Sequence, residues 1–220
     1  MQDKPASRPL GLHVAEVSKA VLHGTHGAVS IHTANHTLVL AATHELAFEL
    51  DQQQVVIGQG PIFSVLETGT PTIVADTYDN VTLSRWPVFS PILSQSGIRS
   101  LLCFPLVLGA AAVGAITSYN QSPGHPHPDT YVDGLVLATL ATEIILQIQA
   151  GIADDDIAQS LEPGIQNHAV IQQAVGLVAE DLGISVVEAM IRIRANAFGS
   201  NQTLLVLARR LISGETSLER

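Results

Sequence analysis

The chain of 220 residues is 46% hydrophobic and 14% charged, which supplies apolar surface for packed cores, carries too little charge for disorder, and suits one domain of ordinary size followed by a short module. It has no run of apolar residues long enough to span a membrane, its first residues are polar and include Pro5 and Pro9, and Cys103 is the single cysteine; an internal disulfide and a multi-cysteine metal site are excluded, no membrane helix or signal peptide is expected, and a cytoplasmic location is expected. The net charge of −10 falls in residues 1–162, with 5 Lys+Arg against 15 Asp+Glu, while residues 163–220 carry 5 of each; the acidity argues against strong non-specific attraction to nucleic acid, and the balanced tail draws all its positive charge from arginine.

Apolar residues recur near helical spacing from Leu10 to about His23 and stop at Gly24, which predicts an opening helix. Ala28–Ile31 and Leu38–Ala41 are β-rich runs around the polar turn Thr33-Ala34-Asn35-His36, a hairpin signal. Pro61 stands where a helix would begin and Gly69 where it would end. Pro71–Val74 reads as a short strand, Trp86–Gln95 as a helix bounded by Gly97, and Ser100–Leu108 with Ala111–Tyr119 as two core strands joined at Gly109. Ser122–Pro128 is a turn-rich loop opening onto a helix from about Asp129, as N-cap, to Gln149. Leu135, Leu137, Leu140, Ile144, Ile145 and Ile148 cover more than one face of that helix, so a second partner is implied. Gly151–Gly164, with Asp154-Asp155-Asp156 and Pro163-Gly164, suits a linker or a charged helix.

After Gly164 the pattern is three short helices punctuated by Gly183, Gly199 and Gly214 as C-terminal caps. Their apolar stripes are Ile171, Ala174, Val178, Leu182; then Val186, Ala189, Met190, Ile193, Ala197; then Leu204, Leu207, Ala208, Leu211, Ile212. Ser185 with Glu188 forms a capping box. Ala174 and Gly176 read as small residues that allow close packing.

Two stretches resemble known families. Ile171-Gln-Gln-Ala174-Val-Gly176, Glu188-Ala189, Ile193-Arg194, Ala197 and Leu207-Ala208 look like the ANTAR module of transcription antiterminators over about Ile165 to Gly214. That resemblance implies binding to paired short hairpins in RNA and control of transcript elongation. Val175 stands where the family commonly has a basic residue, which removes one expected phosphate partner. Gly58-Gln-Gly-Pro61, Glu67-Thr-Gly69-Thr-Pro71, Asp76, Arg85-Trp86-Pro87, Phe89, Gly97-Ile-Arg99-Ser100, Phe104-Pro105-Leu106 and Gly114-Ala115 are similar to a GAF domain over about Gly11 to Gln149. This second likeness implies a sensory antiparallel sheet flanked by helices, a homodimer through the terminal helices, and room for an unidentified small ligand. The expected class is α+β: a GAF-like sheet with flanking helices, then a small all-α ANTAR-like module. The expected divisions are an N-terminal tail at 1–10, the sensor at 11–149, a linker or coupling segment at 150–164, and the module at 165–220.

For RNA the candidates are Gln172, Gln173, Arg192, Arg194, Asn196, Arg209 and Arg210, because guanidinium pairs with phosphate and stacks on unpaired bases while amides reach base edges. Phe63, Trp86, Phe89 and Tyr119 could line a sensor pocket, although aromatics of this size are more often plain core. No cofactor is assigned. Cys103 reads as a small buried hydrophobe, and neither His32 with His36 nor His125-Pro-His127 has an acidic or cysteine partner at ligand spacing. There is no Walker loop, nucleophile elbow, H-E-x-x-H or G-x-G-x-x-G, so catalysis is not expected. Two readings remain: an RNA-binding sensory regulator, and a signalling protein whose last helices serve protein interaction or dimerisation without RNA.

Overall fold

The computed structural model describes residues 10–33, 36–149, 155–200 and 202–218. In chain order these form α1 (Leu10–Val21), β1 (His26–Thr33), β2 (His36–Ala42), α2 (Glu45–Ile57), α3 (Pro61–Thr68), β3 (Thr72–Val74), α4 (Asn80–Arg85), α5 (Phe89–Gln95), β4 (Ser100–Leu108), β5 (Ala111–Asn120), α6 (Pro128–Gln149), α7 (Asp155–Leu182), α8 (Val186–Gly199) and α9 (Leu204–Ile212).

The five strands make one antiparallel sheet in the order β2-β1-β5-β4-β3. Successive side chains of a strand point to opposite faces. Leu101 and Cys103 of β4, with Ala28, Ala115 and Tyr119, enter a core shared with α2, α3 and α5. Leu102, Phe104 and Leu106, with Val29, Ile31 and Ile116, enter a second core shared with α1 and α6. Burial on both faces is why β4 and β5 carry near-continuous apolar runs instead of alternation. Gly134 lets α6 approach the sheet, since a side chain there would collide with the Phe104 ring.

Several elements follow the sequence signals closely. Pro61 opens α3 at its first turn, and Gly69 ends it at φ 65° with its N–H on the Val65 carbonyl, the left-handed cap that glycine adopts without strain. Others differ. The helix expected over Trp86–Gln95 begins at Phe89, because Trp86 precedes Pro87 and takes φ −132°, ψ 75°, outside the α region disfavoured before proline. Asp129 is inside α6, not at its N-cap, since Pro128 already occupies the first helical position. Residues 155–164, placed in the linker or charged-helix segment, are helical, and the first tail helix is 28 residues long. Gly199 is the last residue of α8, and Ser200 caps it, its N–H reaching the Asn196 carbonyl. Neither α2 nor α4 has a counterpart in the sequence reading. The hairpin residues 34–35 and the segment 150–154 lie outside the described residues.

A third core belongs to the tail. Ile171, Ala174, Val175 and Val178 of α7, Ala189, Met190, Ile193 and Ala197 of α8, and Leu204, Leu207, Ala208 and Leu211 of α9 are all buried together. Val39 of β2 and Val55 and Val56 of α2 complete this cluster, at 6%, 3% and 2% exposure. The tail is therefore seated on the sensor through α2 and β2.

Candidate nucleic-acid interface

The tail helices are fixed locally before they pack. The Ser185 hydroxyl accepts from the Glu188 N–H at 3.1 Å and Thr203 Oγ1 accepts from the Val206 N–H at 3.2 Å, each satisfying a donor that a helix start leaves open. Glu188 turns outward instead of completing the capping box: its carboxylate accepts from Arg192 Nη2 at 3.1 Å, one helical turn on.

With the inner stripe of α8 fixed by Ala189, Met190, Ile193 and Ala197, the remaining side chains fall on two different edges, because residues two apart on a helix are turned by about 200°. Arg192 and Asn196, four apart, share one edge; Asn196 is exposed and Arg192 half-buried. Arg194 is on the opposite edge with Val187, Ile191, Ala195 and Phe198, and it faces the sensor beside Gly58. Its Nε is buried with no hydrogen-bond partner, and burial lowers its pKa. On α9, Arg209 is exposed, while Arg210 donates to Gln202 Oε1 at 3.0 Å and sits 3.9 Å from Glu215. On α7, Gln173 is exposed and Gln172 half-buried, its Nε2 without a partner. The structure thus brings Arg192 to Asn196 and separates both from Arg194.

Two further positions gain a physical reading. Val175 is fully buried in the tail core, so a charged side chain at this register would enter an apolar interior. Ala174 is equally buried, in keeping with close packing, but Gly176 is exposed and a side chain there would meet nothing within 4 Å. Packing does not require Gly176 to be small.

In the sensor, Trp86, Phe89 and Tyr119 are buried in the core under α2, α3 and α5, with Phe63 packed against it. Trp86 Nε1 donates to Ser64 Oγ at 3.0 Å, with the Arg85 guanidinium 4.9 Å from its ring centre. Tyr119 leads to a group that sequence reasoning passed over. Its hydroxyl donates to Asp51 Oδ1 at 2.5 Å, Ser30 Oγ donates to Asp51 Oδ2 at 2.9 Å, and Gln54 Nε2 donates to the Tyr119 oxygen at 3.0 Å. Gln54 Oε1 accepts from the Ile62 N–H at 2.9 Å, tying α3 to the same network. Asp51 is completely buried; desolvation pushes its carboxyl up to about 6 against the opposing pull of the Tyr119 and Ser30 hydrogen bonds. Burial and the adjacent Asp51 raise the Tyr119 phenol well above its ordinary value, and burial pushes the Cys103 thiol up in the same core. No helix among the described residues is long and apolar enough to cross a membrane.

Helix α2 joins the two regions. Ala47, Leu50, Asp51 and Gln54 face the sheet, whereas Val55 and Val56, with Phe48 beside them, face the tail.

Comparison with known proteins places both regions. The GAF domain model matches residues 12–148 and the ANTAR domain model matches residues 159–212. Among solved structures, a domain assigned to a two-component sensor histidine kinase protein of Sinorhizobium meliloti 1021 is similar, with 16% identity and a TM-score of 0.50, covering 64% of this chain and 91% of its own. The GAF domain of a phosphoenolpyruvate-protein phosphotransferase from Coxiella burnetii is similar at 19% identity and a TM-score of 0.49, covering 69% of this chain and 89% of its own. The first of these likenesses concerns the fold alone. No curated protein matches the chain.

Proposed function

This chain belongs to the GAF domain family and carries an ANTAR domain behind its sensor, and from that premise we propose that it is a non-enzymatic cytoplasmic regulator of transcription whose ANTAR module binds tandem short RNA hairpins to cause antitermination. The match over residues 159–212 carries the reading, and the outward edge of α8 with Arg192 and Asn196, together with Gln173, Arg209 and Arg210, supplies amide and guanidinium groups suited to unpaired bases and phosphate. Arg194 lies on the opposite edge of α8, turned to the sensor, and is not part of that outer face.

A gel-shift titration of the full chain with tandem-hairpin RNA, against the same RNA with scrambled loop bases, tests this. Binding should be selective and weaken with salt, and Arg192→Ala should cost about 1–3 kcal/mol of affinity with the fold unchanged. Equal binding of both RNAs, or none, would sink it. The second reading, a protein-interaction module without RNA, is favoured by the exposed Val187, Ile191 and Phe198 of α8, and it requires no RNA complex at any salt.

The proposal includes a homodimer through α6. Val132, Val136 and Leu140 make an exposed apolar stripe at 57%, 55% and 51% exposure, flanked by Leu135 and Tyr131. A second copy would bury the face that the sheet leaves open. Val136→Glu should shift the sedimentation profile from dimer toward monomer; a profile unchanged by this substitution would remove α6 from the interface.

A further inference from the structure

At the seam between sensor and tail lies an apolar groove that the RNA-binding reading does not use and whose Ile191 and Phe198 the second reading shares. Its volume is about 420 Å³, within the range of small-molecule sites. Val56 and Ile57 at the end of α2 and Val88 ahead of α5 form one wall, and Ile191, Ala195 and Phe198 of α8 form the other. Val88, Ile191 and Phe198 remain 42%, 58% and 48% exposed, so three large apolar side chains meet solvent around one depression, a cost that a ligand would relieve. Among the described residues the one charged side chain lining the groove is Arg194, and no carboxylate lines it. The Arg194 Nε is buried without an acceptor, and a guanidinium against apolar walls with no counter-charge beside it favours an anionic partner at the groove.

We propose that this seam groove is a binding site for a small amphipathic carboxylate, a monoanion on an aliphatic or aromatic body, with Arg194 pairing its head and Val56, Val88, Ile191 and Phe198 covering its body. Each feature excludes a simpler occupant. A neutral hydrocarbon leaves Arg194 unpaired, and a bare inorganic anion leaves the apolar walls wet. The walls come from both domains, so such a ligand touches sensor and tail at once and its binding is coupled to the seating of α8 on α2.

Calorimetric titration of the full chain with octanoate, 1-octanol and inorganic phosphate tests the proposal. Octanoate should bind at least about tenfold more tightly than either of the others, the size expected of a charge-assisted hydrogen bond. Arg194→Gln should reduce octanoate to the level of 1-octanol, Arg194→Lys should restore part of the difference, and Ile191→Glu should abolish octanoate binding. Thermal melts of each variant check that the fold is retained, and a variant that fails to fold is replaced by Ala195→Trp, which should fill the groove from the same α8 wall. Equal affinity for octanoate and 1-octanol, phosphate competing as well as octanoate, or octanoate binding unaffected by Arg194→Gln would each overturn the proposal. So would octanoate binding that survives Ile191→Glu or, where that variant fails to fold, Ala195→Trp.

Discussion

The sensor and the tail close their cores in opposite ways. Apart from Val39 at the β2 edge, the sensor fills both faces of its sheet with its own residues, with Phe89, Phe104 and Tyr119 completely buried, and sets a four-residue polar network of Ser30, Asp51, Gln54 and Tyr119 inside one of them. Among the described residues the tail has no buried aromatic in its core and relies on Ala174, Val175, Ala189, Ala197 and Ala208 among larger aliphatics, completed by Val39, Val55 and Val56 of the sensor. Large buried side chains let a domain stand alone. Small ones bring helices close but bury less area per residue, so the tail draws part of its stability from its neighbour.

The most disruptive way to break this comparison is Ile193→Ala, at the fully buried centre of the tail. It should cost about 2–5 kcal/mol. Hydrogen exchange should then accelerate in α7–α9 while β4 and β5 stay protected; equal loss in both would mean that the two cores unfold as one.

The sensor's polar network gives the next effect. A carboxyl pushed up to about 6 from 3.8 binds a proton more tightly folded than unfolded. Its contribution to stability is fully present below about pH 4 and is lost as pH rises through about 6, amounting to about 3 kcal/mol by neutral pH. Asp51→Asn cannot titrate, so the difference in unfolding free energy between parent and variant should change by that order between pH 4 and pH 7. A pH-independent difference would place the protonation elsewhere.

The smallest effect sharpens the view of the tail's outer surface. Gly176→Ala should stabilise α7 by about 0.5–1 kcal/mol, because a methyl group meets open space and glycine is the poorer helix former. A gain in melting temperature with weakened binding of hairpin RNA would mark Gly176 as a point of close approach by the nucleic acid. A gain with unchanged binding would make its smallness incidental.

Much of the architecture is legible because it is encoded locally. Pro61 and Gly69 bracket α3, the glycines Gly183 and Gly214 end their helices with φ 65° and 76°, and the apolar stripes of α7, α8 and α9 match the tail core except at Val186, which is 49% exposed in the first turn of α8, with Leu182 and Ile212 partly buried at its margin. Helix α2 was illegible for a physical reason. It is buried against the sheet on one side and the tail on another, and Gln52 and Gln54 are buried along with its apolar residues, so no single stripe stands out. Asp51 gave no signal because its partners Ser30 and Tyr119 lie 21 and 68 residues away. Arg194 and Arg192 are indistinguishable as letters; only the seating of α8 on the sensor sends one into the seam and the other to the outer edge.

Strand β2 carries one more consequence. It ends the sheet on one side, seven residues long, and α7 lies against it, with Val39 buried beneath the tail. Its counterpart at the far edge, β3, has only three residues. A long unprotected edge invites strand-to-strand pairing between molecules. The tail therefore doubles as a guard against self-association, and a sensor severed after Gln149 would tend to aggregate through the backbone of His36–Ala42, however well its own core held.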